Sequence, residues 1–250
     1  MSAYQLEIRA VGMKYQTPQN ETEAIAEISL TVSPGEFVSL VGPSGCGKST
    51  LLDIICGLAE PTRGEARIKG KVGYMLQRDH LLEWRTILDN CLLGPEIQKY
   101  NLKEARRNVL YLLERYGLGS FAHYYPRQLS GGMRQRAALI RTLAINPDIL
   151  LLDEPFAALD YQTRLAIADE VANILRQERK TALMVTHDIA EAISMSDRVV
   201  VLSARPARVK SIYPIELPAG LSPLARRQEN DFRSYFDAIW KELDVHVDPA

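Results

Sequence analysis

Short apolar runs alternate with helical patterns along most of the chain. Four runs are almost entirely apolar, as expected for strands that are buried on both faces of a parallel sheet. They cover residues 37–41, 149–152, 182–186 and 198–202. Apolar residues at helical spacing predict helices over residues 50–56, 102–116, 133–145 and 164–178. Because strands and helices alternate, we predict an α/β fold with a parallel sheet.

Two further regions complete the predicted organisation. Residues 6–33 alternate weakly around a polar stretch at 17–21, which predicts an antiparallel β layer with a hairpin. Residues 77–144 have helical spacing without a convincing strand, which predicts a helical lobe inserted between strands of the sheet. We therefore predict one domain over residues 1–220, with the lobe at about 77–144, and a helical extension over 221–250.

An amphipathic helix is predicted in the C-terminal extension. Ser222 and Pro223 are typical of a helix cap and a first helical position. Apolar residues then recur at intervals of three and four, as on one face of a helix. They are Phe232, Tyr235, Phe236, Ile239, Trp240 and Leu243. The pattern favours docking on the protein's own body, and binding to a partner is the alternative.

The composition is that of a folded globular chain. Of the 250 residues, 46% are hydrophobic and 24% are charged, and the formal net charge is −1. This balance offers no general attraction to nucleic acid or to anionic lipid. No apolar run approaches the roughly 18 residues of a membrane span, and the first residues do not resemble a signal peptide, so we expect a cytoplasmic chain. The cysteines Cys46, Cys56 and Cys91 form no CxxC pair, which argues against a disulfide scaffold or a zinc site.

A phosphate-binding pattern lies between the strand at 37–41 and the following helix. Residues 42–50 read GPSGCGKST, which matches the P-loop pattern GxxxxGK[ST] in its required context. Glycines let backbone N–H groups surround phosphate oxygens, and the helix N-terminus favours negative charge. Lys48 is expected to contact the β- and γ-phosphates, and the Ser49 hydroxyl to bind Mg²⁺. The candidate nucleotide-binding residues here are Gly42, Pro43, Ser44, Gly45, Cys46, Gly47, Lys48, Ser49 and Thr50.

Cys46 raises a second possibility within this loop. A thiol at a helix N-terminus can have a lowered pKa, so alkylation of Cys46 would slow ATP hydrolysis and MgATP would protect it. The alternative is a small, unreactive packing residue.

Two adjacent carboxylates follow the aliphatic strand at 149–152. Asp153 and Glu154 are expected at the carboxyl end of this strand, where ligands bind in open α/β sheets. Asp153 can hold magnesium, and Glu154 can polarise an attacking water molecule. Alone, such a pair is more often a strand end that meets solvent; the P-loop makes the catalytic interpretation the stronger one.

A second phosphate-shaped helix start lies at residues 129–136, which read LSGGMRQR. Ser130, Gly131 and Gly132 combine a hydroxyl with two glycines at a predicted helix N-terminus. A helix cap with flexible glycines is the simpler interpretation of this motif alone. The chain nevertheless carries two such helix ends, whereas a bound nucleotide needs only one on each of its sides. The second helix end is therefore informative.

The motifs GPSGCGKST, LSGGMRQR and ILLLDEP, in this order along the chain, closely resemble those of the ATP-binding subunits of ABC transporters. The resemblance implies a RecA-like P-loop NTPase core, an antiparallel β layer, an inserted helical lobe, and a head-to-tail homodimer that encloses two ATP molecules with Mg²⁺. Each ATP would contact Lys48 of one copy and Ser130 and Gly132 of the other. One departure is Met133, where the family more often has glutamine.

The resemblance also implies roles for single residues. Tyr15 would stack on adenine, and Gln77 would contact magnesium and sense the transmembrane partner. Asp160, in the segment 158–160, would contact the second copy. His187 would reach the γ-phosphate and the attacking water. Simpler interpretations are a strand tyrosine, a solvated glutamine, a turn and a surface histidine.

Residues 78–90 resemble the subgroup that serves importers of nitrate, sulfonate, taurine and similar small solutes. Leu81, Leu82 and Trp84, beside Gln77, would contact separate transmembrane permease subunits, and core packing is their alternative role. The implied protein is peripheral at the cytoplasmic face of the inner membrane and serves a solute-binding protein indirectly. The competing class, a soluble ABC-type ATPase acting on nucleic acid or ribosomes, usually needs basic surfaces or tandem cassettes, so we expect no nucleic-acid partner.

Overall fold

The computed structural model describes residues 4–17, 20–157, 159–177, 179–218 and 220–243. Within these residues the strands are β1 (Leu6–Thr17), β2 (Asn20–Val32), β3 (Phe37–Val41), β4 (Arg63–Ile68), β5 (Val72–Met75), β6 (Ile149–Asp153), β7 (Thr181–Val185), β8 (Arg198–Leu202) and β9 (Ala207–Pro214). The helices are α1 (Lys48–Ile55), α2 (Ile87–Ile97), α3 (Leu102–Arg115), α4 (Gly131–Leu143), α5 (Tyr161–Gln177), α6 (Ile189–Met195), α7 (Pro223–Arg226) and α8 (Asn230–Leu243).

The described strands form one sheet in the order β4-β1-β2-β9-β8-β3-β7-β6-β5. From β8 to β5 all neighbours are parallel, which confirms the predicted parallel core. Successive residues of its strands point to opposite faces, so that Leu150 and Leu152 join one apolar cluster while Ile149 and Leu151 join another. Burial on both faces is why these strands read as continuous apolar runs.

The antiparallel layer is also confirmed. β1 pairs antiparallel with β2 and with β4, although residues 18 and 19 of the predicted hairpin turn lie outside the described residues. The sequence did not reveal β4 or β9. β9 alternates between more and less exposed positions and pairs antiparallel with β8, so it lacks the apolar run of a core strand.

The region 77–144 is helical, as predicted, and contains α2, α3, α4 and two short 3-10 turns. Several helices begin earlier than their apolar spacing indicates: α1 at Lys48, α4 at Gly131 and α5 at Tyr161. Their first turns are polar or glycine-rich, so apolar spacing does not reveal these helix starts. Residue 178, the predicted end of the fourth helix, lies outside the described residues.

Helix α8 docks on the protein's own body. Ile239 is fully buried in a cluster with residues of α6 and β8, and Phe236 packs against this cluster. Tyr235 Oη accepts a hydrogen bond of 3.1 Å from the Glu216 backbone N–H. Trp240 departs from the predicted stripe, because 59% of it is exposed. The domain boundary at residue 220 stays a prediction, and residues 244–250 lie outside the described part. No helix among the described residues is long and apolar enough to span a membrane.

Candidate nucleotide site

The phosphate loop, residues 42–50, connects the carboxyl end of β3 to α1. Gly45 and Gly47 have φ angles of 73° and 116°, in the left-handed region that favours glycine. A Cβ on Gly47 would also lie 3.0 Å from the Ala24 carbonyl oxygen. Gly47 caps α1 without a side-chain hydrogen bond, so the N–H groups of the first turn have no competing side-chain acceptor at the cap.

Lys48 is held inside this loop. Its side chain is buried, and Nζ donates hydrogen bonds to the carbonyl oxygens of Gly42 at 2.8 Å and Pro43 at 3.0 Å. A buried ammonium group needs such acceptors, because burial without a partner is costly. These hydrogen bonds hold the Lys48 side chain at the loop, where an anionic phosphate would bind.

The loops at the carboxyl ends of three strands bring Gln77, Glu154 and His187 together. Gln77 Nε2 donates a hydrogen bond of 3.0 Å to Glu154 Oε2. His187 Nδ1 lies 3.4 Å from Glu154 Oε1. Glu154 itself has a φ of 46°, and its backbone N–H donates to the Val185 carbonyl at 2.9 Å. Both carboxylate oxygens of Glu154 therefore have a positioned neighbour, as a proton-accepting residue requires.

A cavity of about 340 Å³ joins these elements. Tyr15 lines it and donates a hydrogen bond of 3.2 Å from its hydroxyl to Thr50 Oγ1. Predicted residues that line the cavity are Tyr15, Ser44, Gly45, Gly47, Lys48, Ser49, Thr50, Gln77 and Glu154. Ala24 and Arg205 also line it, although no motif marks them. The lining does not include Gly42, Pro43, Cys46, Asp153 or His187, which lie behind or beside it.

The Ser130 helix start, defined as Ser130, Gly131 and Gly132, is not part of this cavity. Ser130 is exposed and caps α4, because its hydroxyl oxygen accepts a hydrogen bond of 3.3 Å from the Met133 N–H. Asp160 is exposed as well, and Thr163 hydrogen bonds to its carboxylate, which lowers the pKa of Asp160. The chain therefore carries two candidate phosphate surfaces that do not meet.

Comparison with known proteins identifies the family. The model of the ABC transporter family matches residues 25–157. An uncharacterized ABC transporter ATP-binding protein, YtlC from Bacillus subtilis, is 46% identical over 96% of this chain and 95% of its own length. The chain belongs to the ABC transporter family. It is an ATP-binding subunit and an ATPase, and its cofactors are ATP and Mg²⁺.

Further relatives of this ABC subunit have assigned names. The aliphatic sulfonates import ATP-binding protein SsuB 1 of Rhodococcus jostii is 45% identical over 79% of both chains. The nitrate import ATP-binding protein NrtD of Synechococcus elongatus is 41% identical over 81% of this chain and 77% of its own length. A dimeric structure of the ATP-binding cassette MJ0796, bound to ADP and Pi, has a TM-score of 0.76 and 33% identity, and the match covers 84% of this chain and 99% of that one. These matches confirm the predicted ABC cassette fold.

The residues beside the phosphate loop of this ABC chain fit a magnesium ion. The Ser49 side chain hydrogen bonds to Asp153, and Gln77 offers an amide oxygen nearby. Burial raises the pKa of Asp153, and the hydrogen bond from Ser49 opposes that rise. A buried carboxylate of this kind is stabilised by a cation. The described residues contain no cluster of three or more His, Cys, Asp or Glu side chains placed for a metal, and magnesium sites commonly use few protein ligands together with phosphate and water.

Cys46 behaves as a packing residue in this structure. Only 1% of it is exposed, and it belongs to the apolar cluster of α1 and the β layer. Its backbone N–H donates to the Pro43 carbonyl at 3.2 Å. The prediction of a readily alkylated thiol is wrong for this conformation, because a reagent has no access to Sγ. Cys46 supports the shape of the loop from behind.

Met133, at the position where the family more often has glutamine, is partly buried. Its side chain packs against the apolar core of the helical lobe, so it does not compete with Ser130 for solvent-exposed contacts. A Cβ on Gly132 would lie 3.0 Å from Leu159 Cδ2, so this glycine allows close packing between α4 and the segment before α5. Ala158, at the start of the predicted dimer-contacting segment, lies outside the described residues.

Arg164 connects two loops that the motifs treat separately. Its Nη2 donates a hydrogen bond of 3.0 Å to the Leu159 carbonyl, and its Nη1 lies 3.5 Å from Asp188 Oδ2. Leu159 precedes Asp160, and Asp188 follows His187. The sequence marks Arg164 only as the start of a predicted helix, because its partners are distant along the chain.

Glu191 is a buried acid behind His187 that no motif revealed. Thr186 donates a hydrogen bond to Glu191 Oε2, and the N–H of Glu191 donates to Asp188 Oδ1 at 3.0 Å. Burial, mainly, raises the pKa of Glu191 to about 7. The loop that carries His187 is thus fixed from both sides by the first turn of α6.

The expected permease-contacting cluster is divided by the structure. Leu81 is buried in the core of the helical lobe, so its assignment to an exposed contact surface is wrong. Leu82 is half-buried, and Trp84 is 74% exposed. Apolar spacing alone could not separate the two classes, because packing within the lobe decides which side chain turns inward.

Proposed function

We propose that this chain is the ATP-hydrolysing subunit of a multi-subunit ABC importer of a small solute of the nitrate, sulfonate or taurine type. Two copies associate head to tail, and each ATP lies between the phosphate loop of one copy and the Ser130 helix start of the other. The observation that carries this proposal is that Ser130, at the start of α4, is exposed and lies outside the lining of the chain's own cavity. The dimeric MJ0796 cassette and the sulfonate and nitrate import relatives support it.

Each phosphate-loop residue has a defined task in this proposal. Lys48 exchanges its carbonyl partners for β- and γ-phosphate oxygens, and backbone N–H groups of the loop bind the remaining oxygens. Ser49, Asp153 and Gln77 hold magnesium, which when bound neutralises phosphate charge and polarises the γ-phosphoryl group. Tyr15, at the rim, stacks on the adenine ring. Gly131 and Asp160 contribute to the surface that the second copy presents.

Glu154 acts as the proton acceptor for the attacking water. Its carboxylate is held between Gln77 and His187, so it cannot rotate freely away from the γ-phosphate position. His187 contacts the γ-phosphate and keeps the water in line. After phosphate leaves, the two copies lose their shared ligand and separate. Arg164 transmits this change, because it joins the His187 loop to the segment that contacts the second copy.

The transmembrane partners are separate permease subunits at the cytoplasmic face of the inner membrane, where this chain is peripheral. We assign the contact to Gln77, Leu82 and Trp84. Trp84 supports this assignment because a large, exposed aromatic side chain is typical of protein interfaces. The solute is chosen by the permease and a solute-binding protein, so this chain serves the substrate indirectly.

The test uses Trp84→Asp in the complete importer. We expect solute uptake to be lost while the isolated chain hydrolyses ATP at the wild-type rate, because Trp84 is outside the nucleotide cavity. Trp240→Asp is the matched control, since Trp240 is also exposed but lies on α8, and it should leave both activities intact. Retained uptake in Trp84→Asp would reject the permease assignment.

A further inference from the structure

A second cavity of about 600 Å³ lies at the opposite end of the parallel strands. Pro34 and Gly35 line it just before β3, and Asp197 lines it just before β8, so it opens at the amino edge of the sheet. The phosphate loop follows the carboxyl end of β3. The five residues of β3 separate the two cavities by roughly 17 Å, given the rise per residue of a strand.

Three arginines line this arginine cavity, which we define by Arg176, Arg179 and Arg226. Asp197 is the single acidic residue in the described lining. Its Oδ2 accepts a hydrogen bond of 2.9 Å from the Phe37 N–H, so this oxygen is already engaged. The lining thus has an excess of positive charge.

Among the described residues, the carboxylate of Asp197 acts on Arg226 but forms no ion pair with any of the three arginines. Arg226 is only 4% exposed, yet its Nη1 donates to neutral acceptors, the carbonyls of Ser194 at 3.1 Å and Ser196 at 3.0 Å. Arg176 Nη1 likewise donates to the Leu221 carbonyl at 2.8 Å. Within the described ranges none of the three arginines forms an ion pair with a carboxylate.

The electrostatic cost of this arrangement is visible at Arg226. Burial lowers the pKa of Arg226 and the charge of Arg176 lowers it further, whereas the charge of Asp197 opposes this shift. Like charges placed together without counter-charges destabilise a fold, and a bound anion removes that cost. Arginine forks match carboxylate, sulfonate and phosphate oxygens in pairs.

The rest of the lining is apolar. Ile215 and Leu217 are buried, and Pro34 and Pro218 complete that side of the cavity. A cavity of a few hundred cubic ångströms with an apolar wall and a few convergent polar groups is typical of small-molecule sites. The wall accommodates a compact hydrocarbon group, and the arginines accommodate an anionic head.

We propose that the arginine cavity binds a small organic anion, an oxyanion head joined to a compact apolar group, and that its occupancy changes the rate of ATP hydrolysis. Three elements connect the cavity to the nucleotide site. β3 leads to the phosphate loop, α5 begins directly after Asp160 and carries Arg176 in its last turn, and Arg226 holds the end of α6, which begins beside His187. An anion that draws the arginines together acts on the far ends of all three.

Binding is tested on the full chain by calorimetry with 1-propanesulfonate and phenyl phosphate at constant ionic strength in chloride. Excess MgADP keeps the phosphate loop occupied, so that the probes report on the second cavity. Inorganic sulfate in a parallel titration separates recognition of the head alone from recognition of the whole organic anion. We expect saturable binding of the organic probes and weaker binding of sulfate.

The variant pair is Arg176→Gln with Arg179→Ala, which leaves the buried Arg226 in place. We expect at least about tenfold weaker binding of the organic probes, because charged hydrogen bonds are lost. Arg233→Ala is the control, since this arginine is largely exposed on α8, and it should bind like the wild type. Unchanged binding in the double variant, or no saturable binding to the wild type, would overturn the site.

Hydrolysis is measured in the same variants. The double variant should hydrolyse ATP like the wild type without the probe and should lose the probe's effect on the rate. Binding without any change in rate would overturn the regulatory part of the proposal. These outcomes are independent of the proposed import function, because they use the isolated chain and no permease. The imported solute, tested as a further probe, distinguishes feedback by the substrate from control by another organic anion.

Discussion

The phosphate loop and the Ser130 helix start both place a helix N-terminus where a phosphate can bind, but the chain completes only the first. Around the phosphate loop, Lys48 is buried and Gln77 and Glu154 line the same cavity. Ser130 instead faces solvent, and its hydroxyl is used to cap its own helix. This difference shows that one chain supplies the phosphate loop and its neighbouring side chains, but does not bring the Ser130 helix start to the same cavity. The second surface has the features of a part that acts on another copy of the chain.

The largest effect is expected from Glu154→Gln, which changes the proposed proton acceptor in the phosphate-loop cavity. Hydrolysis should fall by about a hundred- to ten-thousandfold, because glutamine cannot accept the proton of the attacking water. ATP binding should persist, so a dimer should accumulate in the presence of MgATP. Size-exclusion chromatography with light scattering detects this dimer. Glu104→Gln, an exposed acid in the first turn of α3, is the control. Wild-type turnover in Glu154→Gln would contradict the assignment of the base.

A smaller effect is expected from Arg164→Ala, which cuts the connection between the two surfaces. The Leu159 carbonyl and Asp188 then lose their shared partner, so the His187 loop and the segment at Asp160 move independently. We expect kcat to fall about tenfold, as for loss of a charged hydrogen bond, while KM for ATP changes little. Arg164→Lys should restore part of kcat. A change confined to KM, or to thermal stability, would instead indicate a purely structural role.

The smallest effect is expected from Glu191→Gln, a substitution behind the His187 loop that changes how the stability of the fold depends on pH. The pKa of Glu191 is raised from its usual 4.5 to about 7 in the folded chain, so the folded state binds this proton more tightly than the unfolded state. The associated stability is fully present below pH 4.5, is lost as the pH rises to about 7, and is constant above that value. The loss amounts to about 3 kcal/mol.

Glutamine cannot ionise, so Glu191→Gln should lack this loss of stability. Denaturant unfolding at pH 5 and pH 8 measures it: the variant should gain stability relative to the wild type as the pH rises between these values. Glu229→Gln, at an acid just before α8 and away from the buried group behind His187, is the control and should follow the wild-type dependence. Parallel pH profiles of the wild type and Glu191→Gln would show that Glu191 does not titrate in the folded chain.

The phosphate loop was predictable because its residues are contiguous. Gly42 to Thr50 form one motif between a strand and a helix, and local geometry alone places Lys48 in the loop. Arg205, Arg164 and Glu191 were not predictable, because their partners approach only through the sheet order and the packing of α5 and α6. The prediction that Leu81 is an exposed contact residue was wrong for a related reason. Its apolar character was clear, but packing within the lobe decides that Leu81 is buried while Trp84 is exposed. β9 was missed because it alternates in exposure, unlike the core strands.

A mixing experiment tests the shared site most directly. Lys48→Ala removes the phosphate-loop half of both sites in a dimer, and Ser130→Phe blocks the opposite half, so neither variant alone should hydrolyse ATP. In an equal mixture, each mixed dimer has one site formed by the intact halves of both chains, and hydrolysis should return to at most about a quarter of the wild-type value. Activity no greater than the sum of the two separate variants would contradict a site that two copies build together.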